Sequence, residues 1–235
     1  ISYDIVEANG RKGVVYELIK SKTLGELIRA DHTKLNEYVK MYADICKRVH
    51  TIHTSDQEIP SFKEANRADI ANVTGITDEE RQYLNRFLDL VPEADTCIHG
   101  DLNINNIMVQ GDECCLIDMG EFSTGTPMFD ISRILFSMVY ANTTPGEYNA
   151  FYKMQSSEVS EIYEKFFRGY FGCDTIEEAQ RANPEVKWLY PLAWFRCCTS
   201  MLKGSRWGEE MRKRALELLR EKLIPFVEKE ETSHE

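Results

Sequence analysis

The pattern of apolar and polar residues changes character early in the chain. Residues 3–7 (YDIVE) and 13–19 (GVVYELI) are rich in β-branched and aromatic side chains, and the segment 8–12 between them contains the turn signal Asn9-Gly10. These residues predict a β-hairpin. From Thr23 onward, apolar residues recur at spacings of three and four, most clearly over residues 33–55, where Ile52 continues the apolar face. This spacing predicts a mainly helical body.

Further segments carry the signals of helix ends and of short strands. Thr23 is a candidate N-cap, and Thr77 with Glu80 forms a candidate capping box for a helix that ends at Pro92. Helices are also predicted over 128–141, 156–171, 175–181, 185–203 and 207–228. Two short apolar strands, at about 106–109 and 114–117, predict a second hairpin within this helical body.

A dense polar cluster directly precedes the second hairpin. It places five polar residues within eight positions: His99, Asp101, Asn103, Asn105 and Asn106. Burying such side chains without partners is costly, so the cluster indicates either a hydrogen-bonded turn or a site. Asp118 follows the second strand, and antiparallel pairing would return it beside Asn106.

The oxygen atoms of this cluster suit one kind of chemistry. An amide oxygen beside a carboxylate is a donor set that fits Mg²⁺, which also takes waters and substrate phosphates as ligands. Asp101 would face the same cleft, where a carboxylate can orient a hydroxyl group and accept its proton. A zinc hydrolase would need more His ligands than the sequence places here.

The amino-acid composition limits the kinds of molecule that the protein is expected to bind. Among 235 residues the formal net charge is −11, which argues against nonspecific binding to nucleic acid or to an anionic membrane and suits a cationic small molecule. Seven Cys residues without a C-x-x-C motif are typical of a reduced, cytoplasmic protein. No segment approaches the roughly 18 apolar residues of a membrane span, and no signal peptide is visible. The oligomeric state stays open.

The segment from His99 to Asp118 resembles a known family. Its pattern, H-G-D-L-x-x-x-N followed by a strand and I-D-x-G, is similar to the catalytic and metal-binding segments of the aminoglycoside phosphotransferase and choline kinase family. Gly100, where protein kinases have Arg, favours this small-molecule branch. The stretches GTPMFDISRIL, KRVHTIH and VVYELIKSKTLGELI are also similar to family segments, so the resemblance runs from the start to about residue 140.

The resemblance implies an α+β, protein-kinase-like fold. Residues 1–20 would be a remnant of the N-lobe, a β-hairpin and hinge, and residues 21–235 would be a mainly helical C-lobe. The implied activity is ATP- and Mg²⁺-dependent transfer of the γ-phosphoryl group to a hydroxyl of a small molecule. Asp101 would be the catalytic base, and His99 would brace its loop.

Other site residues follow from the same resemblance. Asn106 and Asp118 would bind Mg²⁺, and Asp130 would support the catalytic loop. The remaining predicted positions would contact ATP, through the hinge backbone or beneath the adenine: Glu17, Ile19, Met108 and Ile117.

The sequence departs from the family in one respect. The family holds the phosphates with a Lys, a helix Glu and a loop that precede the hinge, and the roughly 20 residues before the hinge here contain none of them. We therefore expect the chain to be a fragment of a longer enzyme. The alternative is a non-catalytic, kinase-like module that binds a metabolite or a protein. A protein kinase is less favoured, because no A-P-E follows Asp118 and the segment 119–130 is short.

Several other residues permit two interpretations. His50 and His53 are three apart and are a possible metal pair, although packed helix histidines are favoured. Glu121 is either a ligand for a substrate amine or a solvated charge. The aromatic residues near the C-terminus form either a cation-binding cage or ordinary helix packing, with packing favoured: Trp188, Tyr190, Trp194, Phe195 and Trp207.

Overall fold

The chain begins with an exposed antiparallel hairpin in the computed structural model, which describes residues 2–56, 58–111, 113–141, 148–149, 151–204 and 207–233. Strands β1 (Ser2–Ala8) and β2 (Arg11–Tyr16) pair through Ala8 and Arg11. The loop is therefore only Asn9 and Gly10, with φ angles of 53° and 71°. This two-residue turn matches the strand twist, so the second strand starts two residues earlier than predicted. It also ends earlier, at Tyr16.

The helical body follows the predicted elements closely. Its α-helices are α1 (Leu24–Ala30), α2 (Leu35–Val49), α3 (Phe62–Ala71), α4 (Asp78–Leu90), α5 (Met128–Ala141), α6 (Ser156–Phe171), α7 (Ile176–Ala182), α8 (Leu189–Met201), α9 (Glu209–Leu218) and α10 (Ile224–Thr232). The buried core runs between them, with α2 packed on α6 and α5 packed on α8. The α+β, mainly helical fold class is confirmed.

Capping boxes start several of these helices, among them α1, α3 and α4. At α1 the Thr23 hydroxyl accepts from the Glu26 N–H at 3.1 Å, and the Glu26 carboxylate accepts from the Thr23 N–H at 2.8 Å. The predicted box of Thr77 and Glu80 starts α4 in the same way. Helix α2 ends at Val49, so the prediction that Ile52 continues its buried face is wrong, and Ile52 is 54% exposed.

The second hairpin lies on a three-stranded antiparallel sheet. Strand β5 (Ile107–Gln110) pairs with β6 (Glu113–Leu116) on one side and with β3 (Lys22–Thr23) on the other. Leu116 lies opposite Ile107, so the residues after β6 return to the residues before β5. The remaining short strands form two more pairs: β4 (Cys97–Ile98) with β7 (Ser123–Thr124), and β8 (Tyr148–Asn149) with β9 (Met154–Gln155).

The C-terminal helices differ from prediction at their junctions. The predicted helix 185–203 is a 3₁₀ turn, Pro184–Trp188, followed by α8. A π turn, Leu219–Leu223, joins α9 to α10, directly before Pro225, which has no N–H to donate. Two of the aromatic residues here pack in the core, since Phe195 stacks on Phe87 at 5.1 Å and Trp188 lies 5.5 Å from Phe226, whereas Tyr190 is 40% exposed. No helix of the described residues is long and apolar enough to cross a membrane.

Candidate active site

The polar cluster forms a tight loop between β4 and β5. The side-chain oxygen of Asn103 accepts from the Asn105 N–H at 3.0 Å, and its amide nitrogen donates to the Asp101 carbonyl at 3.1 Å. Neighbouring elements hold the apolar part of the loop. The Tyr42 hydroxyl donates to the Leu102 carbonyl at 2.8 Å, and the Gly25 N–H donates to the Ile104 carbonyl at 2.9 Å. The loop is therefore both a hydrogen-bonded turn and a fixed part of the fold.

Asp130, in the first turn of α5, anchors the start of this loop. Its buried carboxylate accepts from the backbone N–H groups of His99 at 2.9 Å and Gly100 at 2.8 Å, and from His50 Nε2 at 3.1 Å. Burial alone would raise the pKa of Asp130. The bonds from His50 and the two N–H groups outweigh burial, so the pKa lies below its ordinary value.

Histidine 50 does not form a metal pair with its neighbour. Its Nδ1 lies 2.8 Å from the Tyr170 hydroxyl, while His53 Nδ1 contacts the Asp95 carboxylate at 2.7 Å. Both rings therefore have protein partners. His50, the buried C-cap residue of α2, agrees with the favoured interpretation, whereas His53 lies beyond the helix and is exposed, so the prediction that it packs on a helix is wrong.

Gly100 is required by a close approach of two chain segments. Its φ is +85°, and a Cβ at this position would lie 2.5 Å from both Cβ and the carbonyl oxygen of Glu121. Only glycine fits this conformation and this contact without strain. The contact brings the segment after Asp118 against the start of the loop.

Asp101 lies at the mouth of the loop with both carboxylate oxygens engaged. Its Oδ1 accepts from Arg133 Nε at 2.5 Å, and its Oδ2 accepts from the Asn106 amide at 3.2 Å. The Asp101 side chain is 23% exposed, so a hydroxyl group can still reach it. The Arg133 guanidinium lies 5.0 Å from the Phe136 ring centre. The carboxylate is thus held in one orientation.

Asn106 and Asp118 are brought together by the second hairpin. The Ile117 N–H donates to the Asn106 carbonyl at 3.0 Å, and His99 Nε2 donates to the Ile117 carbonyl at 2.9 Å. His99 Nδ1 accepts from the Asp101 N–H at 3.3 Å, which fixes the ring as the Nε2–H tautomer. Asp118 itself adopts a left-handed conformation with φ of 59°, uncommon outside glycine and typical of functional sites.

The donor set of Asn106 and Asp118 fits Mg²⁺. The Asn106 amide nitrogen donates to the Asp101 carbonyl at 2.9 Å, which leaves its oxygen available as a ligand. Asp118 is exposed, and the described residues offer its carboxylate no hydrogen-bond or ion-pair partner. Within the described ranges, no group of three or more His, Cys, Asp or Glu side chains can hold a metal ion. Mg²⁺ commonly takes only one or two protein ligands, so the chemistry of these two side chains is compatible with that ion.

The predicted ATP-contact residues lie on the sheet and on the segment that leads to it. Met108 is half-buried in β5, opposite Thr23 on one side and Cys115 on the other. Ile117 directly follows β6. Glu17 is exposed and Ile19 half-buried on the segment between β2 and β3, which brings the chain to the edge of β5. The contact roles of these residues stay predictions.

Two arginines at the site escaped the sequence reasoning. Arg133 lies one helical turn after Asp130, a spacing that places both on one face of α5 and that was a usable signal. Arg196, on α8, donates from Nη2 to the Gly100 carbonyl at 2.5 Å and lies 3.5 Å from the Glu121 carboxylate. No local motif marks Arg196, because its contact spans 96 positions of sequence.

Comparisons with known proteins identify the family and support the fold. A model of the phosphotransferase enzyme family matches residues 3–167. No curated protein shows significant sequence similarity to the chain.

Solved structures give the fold. A thermostable mutant of aminoglycoside phosphotransferase APH(4)-Ia, in a ternary complex with AMP-PNP and hygromycin B, superposes with a TM-score of 0.59 at 14% identity, over 95% of this chain and 75% of that one. ADP-bound APH(2'')-Ib gives 0.51 at 15% identity, over 93% and 74%. Ethanolamine kinase from Plasmodium vivax gives 0.52 at 17% identity, over 97% and 68%. The family match covers more than half of the chain, and the chain therefore belongs to the phosphotransferase enzyme family.

Proposed function

We propose that the protein transfers the γ-phosphoryl group of ATP to a hydroxyl group of a small molecule, with Mg²⁺ bound by Asn106 and Asp118. The observation that carries this proposal is the contact of Asn106 with the Asp101 carboxylate, together with the backbone bond that ties Ile117, the residue before Asp118, to Asn106. Phosphoryl transfer needs a positioned acceptor and neutralised phosphate charge more than covalent participation by the protein. These three side chains are the types that such a reaction uses.

Each of these residues has its own role in the proposed reaction. Asp101 orients the acceptor hydroxyl and takes its proton, while Arg133 keeps the carboxylate in place. Asn106 and Asp118 hold Mg²⁺, which would neutralise charge on the transferring group. The hydrogen bonds of His99 and Asp130 fix the loop, so that Asp101 needs no rearrangement during the reaction.

We propose the same division of the chain as the sequence suggests. Residues 1–20 act as part of an N-lobe, and residues 21–235 as the C-lobe with the site. The backbone near Glu17 and Ile19 would meet the adenine, above Met108 and Ile117. Support comes from neighbours crystallised with AMP-PNP or ADP.

The acceptor class is open to test. The net charge of −11 favours a cationic alcohol, whereas the side chains next to Asp101 include two arginines. The proposal that the acceptor is a hydroxyl group of a small molecule holds whether that molecule is cationic or not.

Substitution of Asp118 tests the proposal directly. In the full-length protein, Asp118→Ala should abolish Mg²⁺-dependent phosphoryl transfer and weaken Mg²⁺-nucleotide binding in calorimetry. The melting temperature should fall only slightly, because the Asp118 side chain has no partner among the described residues and the main cost is that Ala tolerates its φ of 59° less well than Asp. Asp44→Ala, which removes an exposed carboxylate on α2, is the matched control. Full turnover by Asp118→Ala would refute the assignment. Absence of metal-dependent nucleotide binding by the unmodified protein would favour the non-catalytic binding module.

Asp101→Asn tests the proposed role of Asp101 as base independently of the proposed metal ligands. The amide keeps the size of the side chain but cannot accept a proton, so we expect kcat to fall by about 10²-fold or more. Binding of Mg²⁺-nucleotide, measured by calorimetry, should change little. A variant that keeps kcat would show that Asp101 is not the base.

A further inference from the structure

Two guanidinium groups lie close to Asp101, one bonded to its carboxylate and one to the residue before it. Arg133 Nε contacts Asp101 Oδ1 at 2.5 Å, and Arg196 Nη2 contacts the carbonyl of Gly100, the residue before Asp101. The two arginines are also close enough to each other for their charges to interact. Any molecule that presents a hydroxyl to Asp101 therefore enters the field of both.

Arg196 is the less compensated of the two. Its side chain is only 11% exposed, and its Nη1 is buried without a hydrogen-bond partner among the described residues. Burial and the charge of Arg133 lower the pKa of Arg196, and nearby acids oppose this shift only in part. A buried cation with an unsatisfied donor is costly, and proteins usually pair such groups with an anion.

The nearest acids do not fully supply that anion. Asp101 is already paired with Arg133, and Asp130 with His50 and the loop backbone. The Glu121 carboxylate is 64% exposed and lies 3.5 Å from Arg196 Nη2, a long contact for an ion pair and one that solvent screens. An incoming anion can therefore displace Glu121 at little cost.

We propose that the acceptor alcohol carries an anionic group, a carboxylate or a phosphate, which binds Arg196 in place of Glu121. This inference rests on the proposed function. The hydroxyl of the same molecule lies on Asp101. The net charge of −11 does not oppose this, because exposed charges more than about 8 Å away are largely screened at physiological salt. At contact distance Arg196 determines the preference, because Arg133 is already paired with Asp101, and Arg196 disfavours an ammonium group.

The transfer itself balances as for any alcohol. The acceptor oxygen bonds to the γ-phosphorus, the bond from that phosphorus to the bridging oxygen of ADP breaks, and the hydroxyl proton passes to Asp101. The anionic group takes no part in bond changes. It places the hydroxyl, so its loss should affect KM more than kcat.

Matched pairs of alcohols test the proposal in the full-length protein. In each pair only one member carries a carboxylate: L-serine against ethanolamine, L-homoserine against 3-amino-1-propanol, and glycerate against glycerol. Two further compounds extend the range of charge: glycerol 3-phosphate carries a phosphate, and kanamycin is a polycation. We measure kcat/KM for each, or, for a compound that is not phosphorylated, its inhibition of intrinsic ATP hydrolysis. We expect the anionic member to be preferred about tenfold to a hundredfold in at least one pair.

Variants assign that preference to Arg196. Arg196→Met, similar in length but uncharged, should remove the preference, while Glu121→Gln, which removes the competing carboxylate, should strengthen it a few-fold. Arg168→Met, on the exposed end of α6 and paired with Asp174, is the control and should leave the preference unchanged. Melting temperatures verify that each variant is folded.

The outcomes separate the two levels of the argument. If the unmodified protein neither binds nor hydrolyses Mg²⁺-ATP, the proposed function fails and the acceptor inference falls with it. If ATP is bound or hydrolysed but every pair shows no preference, or favours the cationic member, only the acceptor inference is overturned. A preference that survives in Arg196→Met overturns the role of Arg196. A preference lost in Arg196→Met and raised in Glu121→Gln supports the proposal.

Discussion

Asp130 fixes the geometry of the candidate site without facing its opening. Its carboxylate accepts two N–H groups of the loop and one from His50, and all three lie in the buried interior. Hydrogen bonds to a charged group are stronger than neutral ones, and breaking such a buried set leaves unpaired donors. The loop conformation therefore depends on one side chain that is remote in sequence.

Asp130→Asn should lower the free energy of unfolding by about 3 kcal/mol. The amide has one oxygen, so it cannot satisfy three donors, and its NH₂ group opposes at least one of them. Chemical denaturation followed by circular dichroism measures the change. Asp95→Asn, an exposed acid paired with His53, is the control and should cost less than about 1 kcal/mol. Equal midpoints for Asp130→Asn and the unmodified protein would contradict this role.

The lowered pKa of Asp130 gives this contribution a pH dependence of known sign. A carboxylate whose folded pKa lies below its unfolded value of about 3.9 stabilises the fold above that pH and loses the contribution as pH falls through the folded pKa. The stability difference between the unmodified protein and Asp130→Asn should thus be constant near neutral pH and shrink below about pH 4. Urea titrations at stepped pH would measure it, and a gap that widens on acidification would contradict the assignment.

Gly100→Ala should destabilise the loop even though it adds a single methyl group. The residue has φ of +85°, and the new Cβ would lie 2.5 Å from Glu121 backbone and side-chain atoms. We expect a loss of about 2 kcal/mol or more, together with reduced activity, because the backbone next to Asp101 must move. Gly111→Ala, at similar φ but with open space around it, isolates the cost of φ alone. Similar losses for both variants would show that the contact with Glu121 is unimportant.

The sequence predicted the neighbours of the candidate loop better within the hairpin than across the fold. Asn106 and Asp118 flank one hairpin, so a strand pairing rule was enough to predict that Ile117, the residue before Asp118, returns to Asn106. Arg196 contacts the loop from 96 positions away, and no local pattern carries such a contact. For Glu121 the sequence leaves a ligand for a substrate amine and a solvated charge as alternatives; in the fold its carboxylate is largely exposed but lies 3.5 Å from Arg196, a placement that only tertiary packing determines.

At the scale of elements, helix starts were predictable and junctions were not. Capping boxes are local, so Thr23 and Thr77 could be identified from their spacing to Glu26 and Glu80. The end of α2 before Ile52 and the π turn at Leu219–Leu223 depend on packing against other helices, which periodicity does not report. The first hairpin was predicted, but its strand limits required the two-residue turn geometry.

Thr23→Ala should cost about 1 kcal/mol of stability, because it removes the hydroxyl that accepts from the Glu26 N–H. Thr23 also belongs to β3 and lies opposite Met108, so this change should loosen the sheet beneath the proposed adenine site. Thermal unfolding measures the first effect, and nucleotide affinity the second. Thr23→Ser keeps the hydroxyl and should remain within a few tenths of a kcal/mol of the unmodified protein. A serine variant as destabilised as alanine would rule out the cap as the cause.

At the scale of the whole molecule, the first hairpin contrasts with the rest. Its described residues are exposed on both faces, including Ile5 at 69% and Tyr16 at 67%, whereas the helical body has a continuous buried core. Regions with few buried apolar contacts open at low free energy.

Amide hydrogen exchange should therefore be fast in β1 and β2 and slow in α2, α5 and α8. The measurement is exchange followed by mass spectrometry on this chain, with peptides from α8 as the protected reference. Protection of the hairpin at the level of α8 would contradict the expectation and would mean that another surface covers it.

Helix α5 has a consequence for how such a protein can diversify. Asp130 and Arg133 share one face of this helix, so a single rigid body sets the spacing between the loop backbone and the Asp101 carboxylate. Substitutions on α6, or on α8 away from Arg196, can then reshape the neighbouring surface without shifting that spacing. Reactivity and selectivity are carried by separable parts of the chain, so a lineage can explore new acceptors while the reaction centre is inherited unaltered.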